Sequence, residues 1–182
     1  MARLIMWNLM TLDGFVESPN RDISWHLDVW GEELEQLSIE QLNAAGGLLF
    51  GRVTYELMAK HWPGASGEVA DFMNAAPKYV VSRTLKKSDW NNNTQFYGDD
   101  VPETVARLKR EGAKDIFLFG SADFAASLTP HGLIDEFRIA VNPIILGGGT
   151  PLFRQRERIK LKLLDSRALS TGIVILRYAL PN

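Results

Sequence analysis

Three pairs of adjacent residues in this chain are suited to binding a phosphate: Gly51-Arg52, Ser82-Arg83 and Gly120-Ser121. Each pair directly follows a short apolar run that is typical of a buried strand. A glycine at a strand end lets the backbone approach an anion closely, and the N–H groups that open a following helix attract that anion. A tight strand-to-helix turn would also explain any one of these glycines. Three such strand ends in one chain favour a ligand site.

The arginines in these pairs indicate which phosphate compound is bound. Arg52 and Arg83 each lie one residue beyond a predicted strand end, where a guanidinium could bind a terminal phosphate monoester, and the Ser82 hydroxyl adds a donor. The dinucleotide fingerprint Gly-x-Gly-x-x-Gly is absent, because Gly120 lacks the later glycines. These features favour a 2′-phosphorylated dinucleotide over NAD. The alternative is that each arginine is an ordinary solvated side chain.

Other catalytic chemistries have little support. The chain has no cysteine, which excludes a thiol nucleophile, a Cys-ligated metal and a disulfide. Its three histidines, His26, His61 and His131, do not have the spacing of metal ligands, so we predict no metal site. No serine lies in a Gly-x-Ser-x-Gly elbow, which leaves a hydrolase triad unsupported. The rings of Trp25 and Trp30 could line the binding site of a flat heterocyclic substrate.

Length and charge narrow the class of protein. The chain has 182 residues, 46% of them hydrophobic, so we expect one globular domain over residues 1–182. Twenty basic and 22 acidic residues give a net charge of −2, which argues against nucleic-acid and anionic-membrane partners and favours a small-molecule ligand. The apolar run at residues 4–10 is too short to span a membrane, and we expect a cytoplasmic protein.

Alternating strand and helix patterns position these residues and indicate the α/β class. We predict strands over 3–10, 48–50, 78–82, 115–119, 136–142, 160–165 and 173–180. We predict helices over 32–45, from the Gly51–Thr54 turn to Lys60, over 68–74, from Asp100 to Gly112 and from Ser121 to Leu128. Gly46-Gly47 should end the first helix, and residues 89–100 should form a polar loop. No helix separates the last two strands, which predicts antiparallel edge strands on a mostly parallel central sheet.

Five short motifs occur along the chain in a fixed order. They are Thr11-Leu12-Asp13-Gly14, the run from Leu49 to Glu56, Val80-Val81-Ser82-Arg83, Phe119-Gly120-Ser121, and Leu133-Ile134-Asp135-Glu136 leading to Asn142–Gly149. In this order they resemble the dihydrofolate-reductase-like superfamily, and most closely the C-terminal reductase domain of the bifunctional riboflavin-biosynthesis deaminase-reductase, in its free-standing bacterial branch. The resemblance covers nearly the whole chain. It implies a three-layer dihydrofolate-reductase-like fold and NADPH-dependent hydride transfer.

The resemblance also implies roles for individual residues. Carried over by position, Gly51, Arg52 and Thr54 hold the phosphate region, Ser82 and Arg83 the adenosine 2′-phosphate, Gly120 and Ser121 the pyrophosphate, while Trp25 lies beside the cofactor. Gly147, Gly148 and Gly149 would form a loop that closes near the cofactor; a flexible turn between antiparallel strands is the alternative.

Asp13 is the candidate catalytic residue. The resemblance places its Leu-Asp-Gly segment beside substrate and cofactor. A carboxylate there could orient a substrate amide or ring nitrogen, or relay a proton if burial raises its pKa. The alternative is an Asp-Gly turn in which Asp13 bonds to its own backbone.

Departures from the family pattern leave the substrate open. Riboflavin reductases carry an acid and an arginine where this chain has Phe119 and Asn43. The activity could therefore be reduction of 5-amino-6-(5-phosphoribosylamino)uracil, reduction of dihydrofolate, or reduction of another small heterocycle. A module that binds NADPH without turnover is a further alternative. Because the apolar strand at 173–180 forms a regular edge, and because of the resemblance, we also predict a homodimer.

Overall fold

The computed structural model describes residues 1–88, 90, 93–98, 100–154 and 158–181, and these residues form ten strands and five α-helices. The strands are β1 (Leu4–Thr11), β2 (Phe15–Glu17), β3 (Ala45–Gly51), β4 (Lys78–Val81), β5 (Thr94–Tyr97), β6 (Asp115–Phe119), β7 (Glu136–Asn142), β8 (Thr150–Pro151), β9 (Lys162–Ala168) and β10 (Val174–Ala179). The helices are α1 (Glu32–Ala44), α2 (Arg52–His61), α3 (Glu68–Ala75), α4 (Val101–Glu111) and α5 (Ala122–Leu128).

The chain divides into two compact units. The prediction of a single domain over residues 1–182 stays a prediction. The first unit contains Met1–Leu4 and Leu37–Ser121, and the second contains Ile5–Gln36 and Ala122–Asn182. Parallel strand pairs predominate, since β1–β7, β3–β4, β3–β6 and β4–β5 are parallel whereas β10 is antiparallel to β7 and β9. The α/β fold class with a mostly parallel sheet is confirmed.

The first unit contains four parallel strands in the order β5-β4-β3-β6. Its central strand, β3, buries Leu48, Leu49 and Phe50 completely, as a strand covered on both faces should. Because neighbouring parallel strands run in the same direction, β3, β4 and β6 end at one edge of this sheet. Gly51 pairs with Val81 at that edge.

Gly46-Gly47 lies inside a strand, so the prediction that this pair merely ends the first helix was incomplete. Helix α1 ends at Ala44 and β3 begins at Ala45 with no intervening loop. A Cβ placed on Gly47 would lie 2.6 Å from the Tyr79 ring. The glycine therefore allows β3 to pass close to the side chain of the neighbouring strand.

The predicted polar loop at 89–100 was wrong for residues 94–97, which form β5. This strand pairs in parallel with β4, from Lys78 opposite Thr94 to Val81 opposite Tyr97. Residues 89, 91, 92 and 99 lie outside the described residues. The predicted cap of the following helix is confirmed, because the Asp100 side chain accepts a hydrogen bond from the Glu103 N–H at 3.2 Å.

The second unit contains β1-β7-β10-β9 in that order. Pairing runs in register from Ile5 opposite Glu136 to Thr11 opposite Asn142, so β1 and β7 also end together. Antiparallel strands at the C-terminal end are confirmed, but the expectation that residues 173–180 form the edge was wrong. The edge strand is β9, whose seven residues are all exposed. The strand predicted over 160–165 is β9, which begins two residues later and extends to Ala168.

A second, two-stranded sheet joins two segments for which no strand was predicted. Strand β2 pairs antiparallel with β8, with Phe15 opposite Pro151 and Glu17 opposite Thr150. The pairing connects the chain just after β1 to the chain just after the three glycines at 147–149. Among the described residues, no helix combines the length and the apolar character that a membrane span requires.

Candidate functional site

Helix α2 begins at the edge of the first unit where β3 ends. Gly51 is the N-cap residue of α2 and, as a glycine, offers no side chain to cap the N–H groups of the first turn. Arg52 is exposed, and its Nη1 donates a hydrogen bond to Glu56 Oε2 at 2.8 Å. A helix N-terminus with a glycine as its N-cap and an adjacent guanidinium is suited to receive a phosphate.

Gly120 and Thr54 lie in direct contact at this edge. A Cβ on Gly120 would lie 2.8 Å from Thr54 Cγ2 and 3.0 Å from Thr54 Oγ1. Gly120 has φ +60° and Ser121 has φ +52°, so two successive residues adopt the left-handed conformation. Only glycine tolerates that conformation without strain, and strained backbone of this kind clusters at functional sites. The structure thus brings the end of β6 against the first turn of α2.

Ser82 and Arg83 have different surroundings. The Ser82 side chain is buried, and its Oγ accepts hydrogen bonds from the N–H groups of Thr84 at 3.2 Å and Leu85 at 2.9 Å. Ser82 therefore shapes the turn that carries Arg83, and a direct contact of its hydroxyl with a phosphate stays a prediction. Arg83 is exposed, and its guanidinium has no polar partner within the described parts of the chain.

Asp13, in the second unit, is fully engaged by its neighbours. Its Oδ1 accepts hydrogen bonds from Thr11 Oγ1 at 2.7 Å and from the Leu146 N–H at 3.2 Å, and its Oδ2 accepts from the Gly147 N–H at 2.8 Å. The Thr11 hydroxyl, together with the Gly147 and Leu146 N–H groups, holds the pKa of Asp13 below its usual value of 3.8. The side chain is exposed and ionised at neutral pH. The raised pKa that a proton relay requires is therefore not present.

Gly147 and Gly148 belong to a loop that is tied to the segment after β1. Gly147 has φ +74° and Gly149 has φ +139°, conformations that favour glycine. A Cβ on Gly149 would collide with the carbonyl oxygen of Glu17. The loop is therefore attached to residues 13–17. Its two predicted roles, closure near a cofactor or a flexible turn, stay predictions.

Trp25 lies in a 3-10 segment, Ser24–Val29, and is 7% exposed. Its Nε1–H is buried and has no hydrogen-bond partner among the described residues. The Trp25 and His26 rings pack edge to face with their centroids 6.0 Å apart, and the His26 and Trp30 ring centroids are 5.8 Å apart. A buried indole donor without a partner is a candidate for binding a ligand or a water molecule.

Two further residues, Thr11 and Glu17, build these arrangements, and their roles were not predicted. Thr11 bonds Asp13 and also accepts a hydrogen bond from the Phe15 N–H at 3.0 Å. The spacing Thr-x-Asp-Gly is a local turn signal that could have indicated this role. Glu17 accepts a hydrogen bond from Thr150 Oγ1 at 2.6 Å, and no local pattern predicts that contact. Among the described residues, no group of three His, Cys, Asp or Glu side chains could hold a metal ion.

Known proteins are similar to this chain in sequence or in fold. The model of the RibD C-terminal domain family matches residues 2–175. The uncharacterized protein YyaP of Bacillus subtilis (strain 168) is 33% identical over 182 residues, which cover 97% of this chain and 94% of YyaP. A protein from Shewanella sp. PV-4, named as a candidate riboflavin biosynthesis protein, is 19% identical, with a TM-score of 0.83 and full coverage of both chains.

Two further solved structures show the same fold. A diaminohydroxyphosphoribosylaminopyrimidine deaminase/5-amino-6-(5-phosphoribosylamino)uracil reductase from Thermotoga maritima is 15% identical, with a TM-score of 0.70 over 99% of this chain and 57% of that chain. The dihydrofolate reductase of Enterococcus faecalis, complexed with NADP(H), is 11% identical, with a TM-score of 0.67 over 99% and 97% of the chains. The expected dihydrofolate-reductase-like fold is confirmed. Since the family model spans residues 2–175, this chain belongs to the RibD C-terminal domain family.

Proposed function

We propose that this protein is an NADPH-dependent reductase that transfers hydride to a small heterocyclic substrate. The observation that carries the proposal is the edge of the first unit, where β3, β4 and β6 end beside one another. These ends present Gly51-Arg52, Ser82-Arg83 and Gly120-Ser121. Ligands of open α/β sheets bind outside the carboxyl ends of the strands, where the backbone and helix N-termini can meet phosphates.

The residues at this edge fit a 2′-phosphorylated dinucleotide. The first turn of α2, with Gly51 as its N-cap and with Arg52 and Thr54, is suited to the phosphate region. Arg83, exposed and without a polar partner in the described chain, is suited to the adenosine 2′-phosphate. Gly120 allows the end of β6 to approach Thr54 closely, and we assign Gly120 and Ser121 to the pyrophosphate.

Family membership supports the reaction. This chain belongs to the RibD C-terminal domain family, and a fold neighbour from Thermotoga maritima is named as a 5-amino-6-(5-phosphoribosylamino)uracil reductase. Another neighbour, the Enterococcus faecalis dihydrofolate reductase, is complexed with NADP(H). We therefore propose a reductase of the riboflavin-biosynthesis type whose substrate is a small heterocycle.

Phe119 bears on the choice of heterocycle. It is the last residue of β6, directly before Gly120, and its ring stacks on Phe50 with centroids 6.2 Å apart. An apolar ring cannot accept hydrogen bonds from ribose hydroxyls. This observation favours a substrate that presents an apolar or aromatic group at Phe119 over one that presents a sugar.

When bound, NADPH supplies the hydride, and the chain must hold the acceptor carbon close to it and exclude water. We assign binding of the cofactor to Gly51, Arg52, Thr54, Ser82, Arg83, Gly120 and Ser121 of the first unit. For Trp25, Gly147 and Gly148, contact with the cofactor stays a prediction. Asp13, whose pKa is held low by the Thr11 hydroxyl and the Gly147 and Leu146 N–H groups, is suited to orient a substrate or a loop.

Calorimetric titration with NADPH and NADH tests the cofactor. We expect the wild-type protein to bind NADPH tightly and NADH weakly. Replacing Arg83→Ala removes a charge-assisted hydrogen bond worth about 1.5–3 kcal/mol, so NADPH should bind roughly 10 to 150 times more weakly while NADH is unaffected. Arg110→Ala, which removes an arginine paired with Glu103 in the same unit, is the matched control. An equal loss for both cofactors would contradict the assignment of Arg83.

A second candidate is a module that binds NADPH without turnover. Phe119 and Asn43 favour it, because they stand where the riboflavin reductases that this chain resembles carry an acid and an arginine. The two candidates are separated by following the absorbance of NADPH during incubation with pyrimidine, pterin and flavin-precursor acceptors. Consumption of NADPH with any acceptor identifies a reductase, whereas tight binding without consumption supports the module.

Homodimerisation is also proposed. In the second unit, β9 is an exposed edge strand on which Leu163 is 50% and Leu164 is 46% exposed. Exposed edge strands with apolar side chains are commonly paired or covered. A monomeric mass in solution at micromolar concentration would contradict this proposal.

A further inference from the structure

Two segments of the second unit, 11–17 and 144–152, are fastened together on both sides of the glycine loop Gly147–Gly149. Before the loop, the Leu12 N–H donates to the Ile144 carbonyl oxygen at 2.9 Å. After it, the Leu152 N–H donates to the Gly14 carbonyl oxygen at 2.9 Å. These bonds fix the two ends of the loop. The conformation of the glycines between them depends on whatever else contacts the loop.

The Asp13 carboxylate provides that contact. Its two oxygens accept hydrogen bonds from consecutive loop N–H groups, those of Leu146 at 3.2 Å and Gly147 at 2.8 Å. Thr11 Oγ1 donates to the same carboxylate at 2.7 Å and so orients it. Hydrogen bonds to an ionised acceptor are stronger than those between neutral groups.

The loop needs such a contact because glycine loses more conformational freedom on ordering than any other residue. Three consecutive glycines follow Leu146, and two of them have positive φ. The strands beside the loop have their own bonds, since β1 and β7 pair from Ile5 to Thr11. Removing the Asp13 carboxylate should therefore release the loop and leave the sheet intact.

We propose that Asp13 is a positioning residue whose carboxylate holds the Gly147–Gly149 loop in the conformation that receives the cofactor. The inference rests on the proposed function and on the prediction that Gly147 and Gly148 contact NADPH. Asp13 acts through the loop, not on the reacting atoms. If only part of the molecules hold the loop in the competent conformation, the apparent dissociation constant rises in inverse proportion to that part.

The first test uses the protein without cofactor. Hydrogen exchange of the backbone amides is compared between wild type, Asp13→Ala and the control Asp165→Ala, which removes an exposed carboxylate from β9 of the same unit. In Asp13→Ala, we expect the amides of residues 146–149 to exchange about tenfold faster, and those of β7 to remain as protected as in wild type. Unchanged exchange in the loop would overturn the proposal.

The second test uses NADPH. We expect the dissociation constant of NADPH to rise about tenfold in Asp13→Ala and less in Asp13→Asn, which keeps one side-chain oxygen as an acceptor. In turnover, KM for NADPH should rise while kcat at saturation stays within about twofold. Asp165→Ala should match wild type in each measurement.

The outcomes separate this inference from the proposed function. If wild type binds NADPH and Asp13→Ala binds it equally well, the positioning role is overturned and the proposed function stands. If wild type does not bind NADPH, the proposed function fails, and the cofactor part of this inference fails with it. Faster loop exchange together with weaker NADPH binding supports both.

Discussion

Lys78 lies in the core of the first unit, and its titration offers a quantitative test of the structure. The residue is completely buried on β4. Its Nζ donates to the carbonyl oxygens of Ala76 at 2.8 Å and Asn74 at 3.2 Å, and lies 4.5 Å from the centre of the Trp90 ring. These partners hold the ammonium at the end of helix α3, where cations are favoured.

Burial lowers the pKa of Lys78 from 10.5 to about 8. Between these values the unfolded chain binds a proton that the folded protein has released, so the free energy of unfolding rises with pH. Since one pKa unit corresponds to about 1.4 kcal/mol, the rise is roughly 3 kcal/mol. This gain is fully present above pH 10.5 and is lost as the pH falls through about 8.

Urea unfolding from about pH 7 to about pH 11 checks this prediction in wild type and Lys78→Met. The difference in unfolding free energy, wild type minus variant, should rise by roughly 3 kcal/mol across the window, because only wild type carries the titrating amine. Lys114→Met removes an exposed ammonium of the same unit and should give a flat difference. A flat difference for Lys78→Met would refute the reasoning, since the carbonyl oxygens and the ring would then offset the effect of burial.

Two further predictions concern Gly120 and Glu136. Gly120→Ala adds a Cβ 2.8 Å from Thr54 at a residue with φ +60°, so it should lower the free energy of unfolding by about 1–3 kcal/mol. Adding Thr54→Ala should recover part of this loss, as measured by urea unfolding. If the double variant recovers nothing, the contact between Gly120 and Thr54 is contradicted. Glu136, 1% exposed, accepts hydrogen bonds from Arg138 at 2.6 Å and Arg177 at 2.7 Å, so Glu136→Gln should cost about 3 kcal/mol at neutral pH. Burial raises the pKa of Glu136, but the hydrogen bonds from Arg177 and Arg138 outweigh burial and hold the pKa below 4.5. The stability advantage of wild type over Glu136→Gln should therefore persist above pH 4.5 and shrink below it. An advantage that grows on acidification would count against the pairing of Glu136 with the two arginines.

Elements with strong local signals were predictable. The bounds of β6, Asp115–Phe119, and β7, Glu136–Asn142, are those that the apolar runs predict. The start of α4 follows from Asp100 as a cap with Pro in the first turn. In these cases the residues that determine the element lie within the element itself.

Elements that depend on a partner strand were predicted poorly. Strand β5 is the four-residue run Thr94–Tyr97, which is too short to give an alternating pattern, and it is a strand because β4 supplies its hydrogen bonds. The edge position of β9 likewise follows from the antiparallel pairing of β10 with both β7 and β9. Local propensity is a weak guide where tertiary pairing provides the energy.

The candidate site shows the same division. Gly51-Arg52, Ser82-Arg83 and Gly120-Ser121 were located at strand ends from sequence alone. What their atoms do was not predictable, since the Ser82 hydroxyl holds its own turn. The Asp13 carboxylate is likewise engaged by N–H groups 133 and 134 positions along the chain.

By itself, the sequence determined the α/β class, the exclusion of cysteine chemistry and the three strand ends that could meet a phosphate. Apolar runs, turn glycines and composition carry that information locally, so it can be read without knowing which segments meet. Only the tertiary structure decided that Gly120 packs on Thr54, that Lys78 is buried and that Asp13 holds the glycine loop. Each of these depends on residues far apart in sequence, whose contact is set by strand pairing and core packing and not by any local pattern.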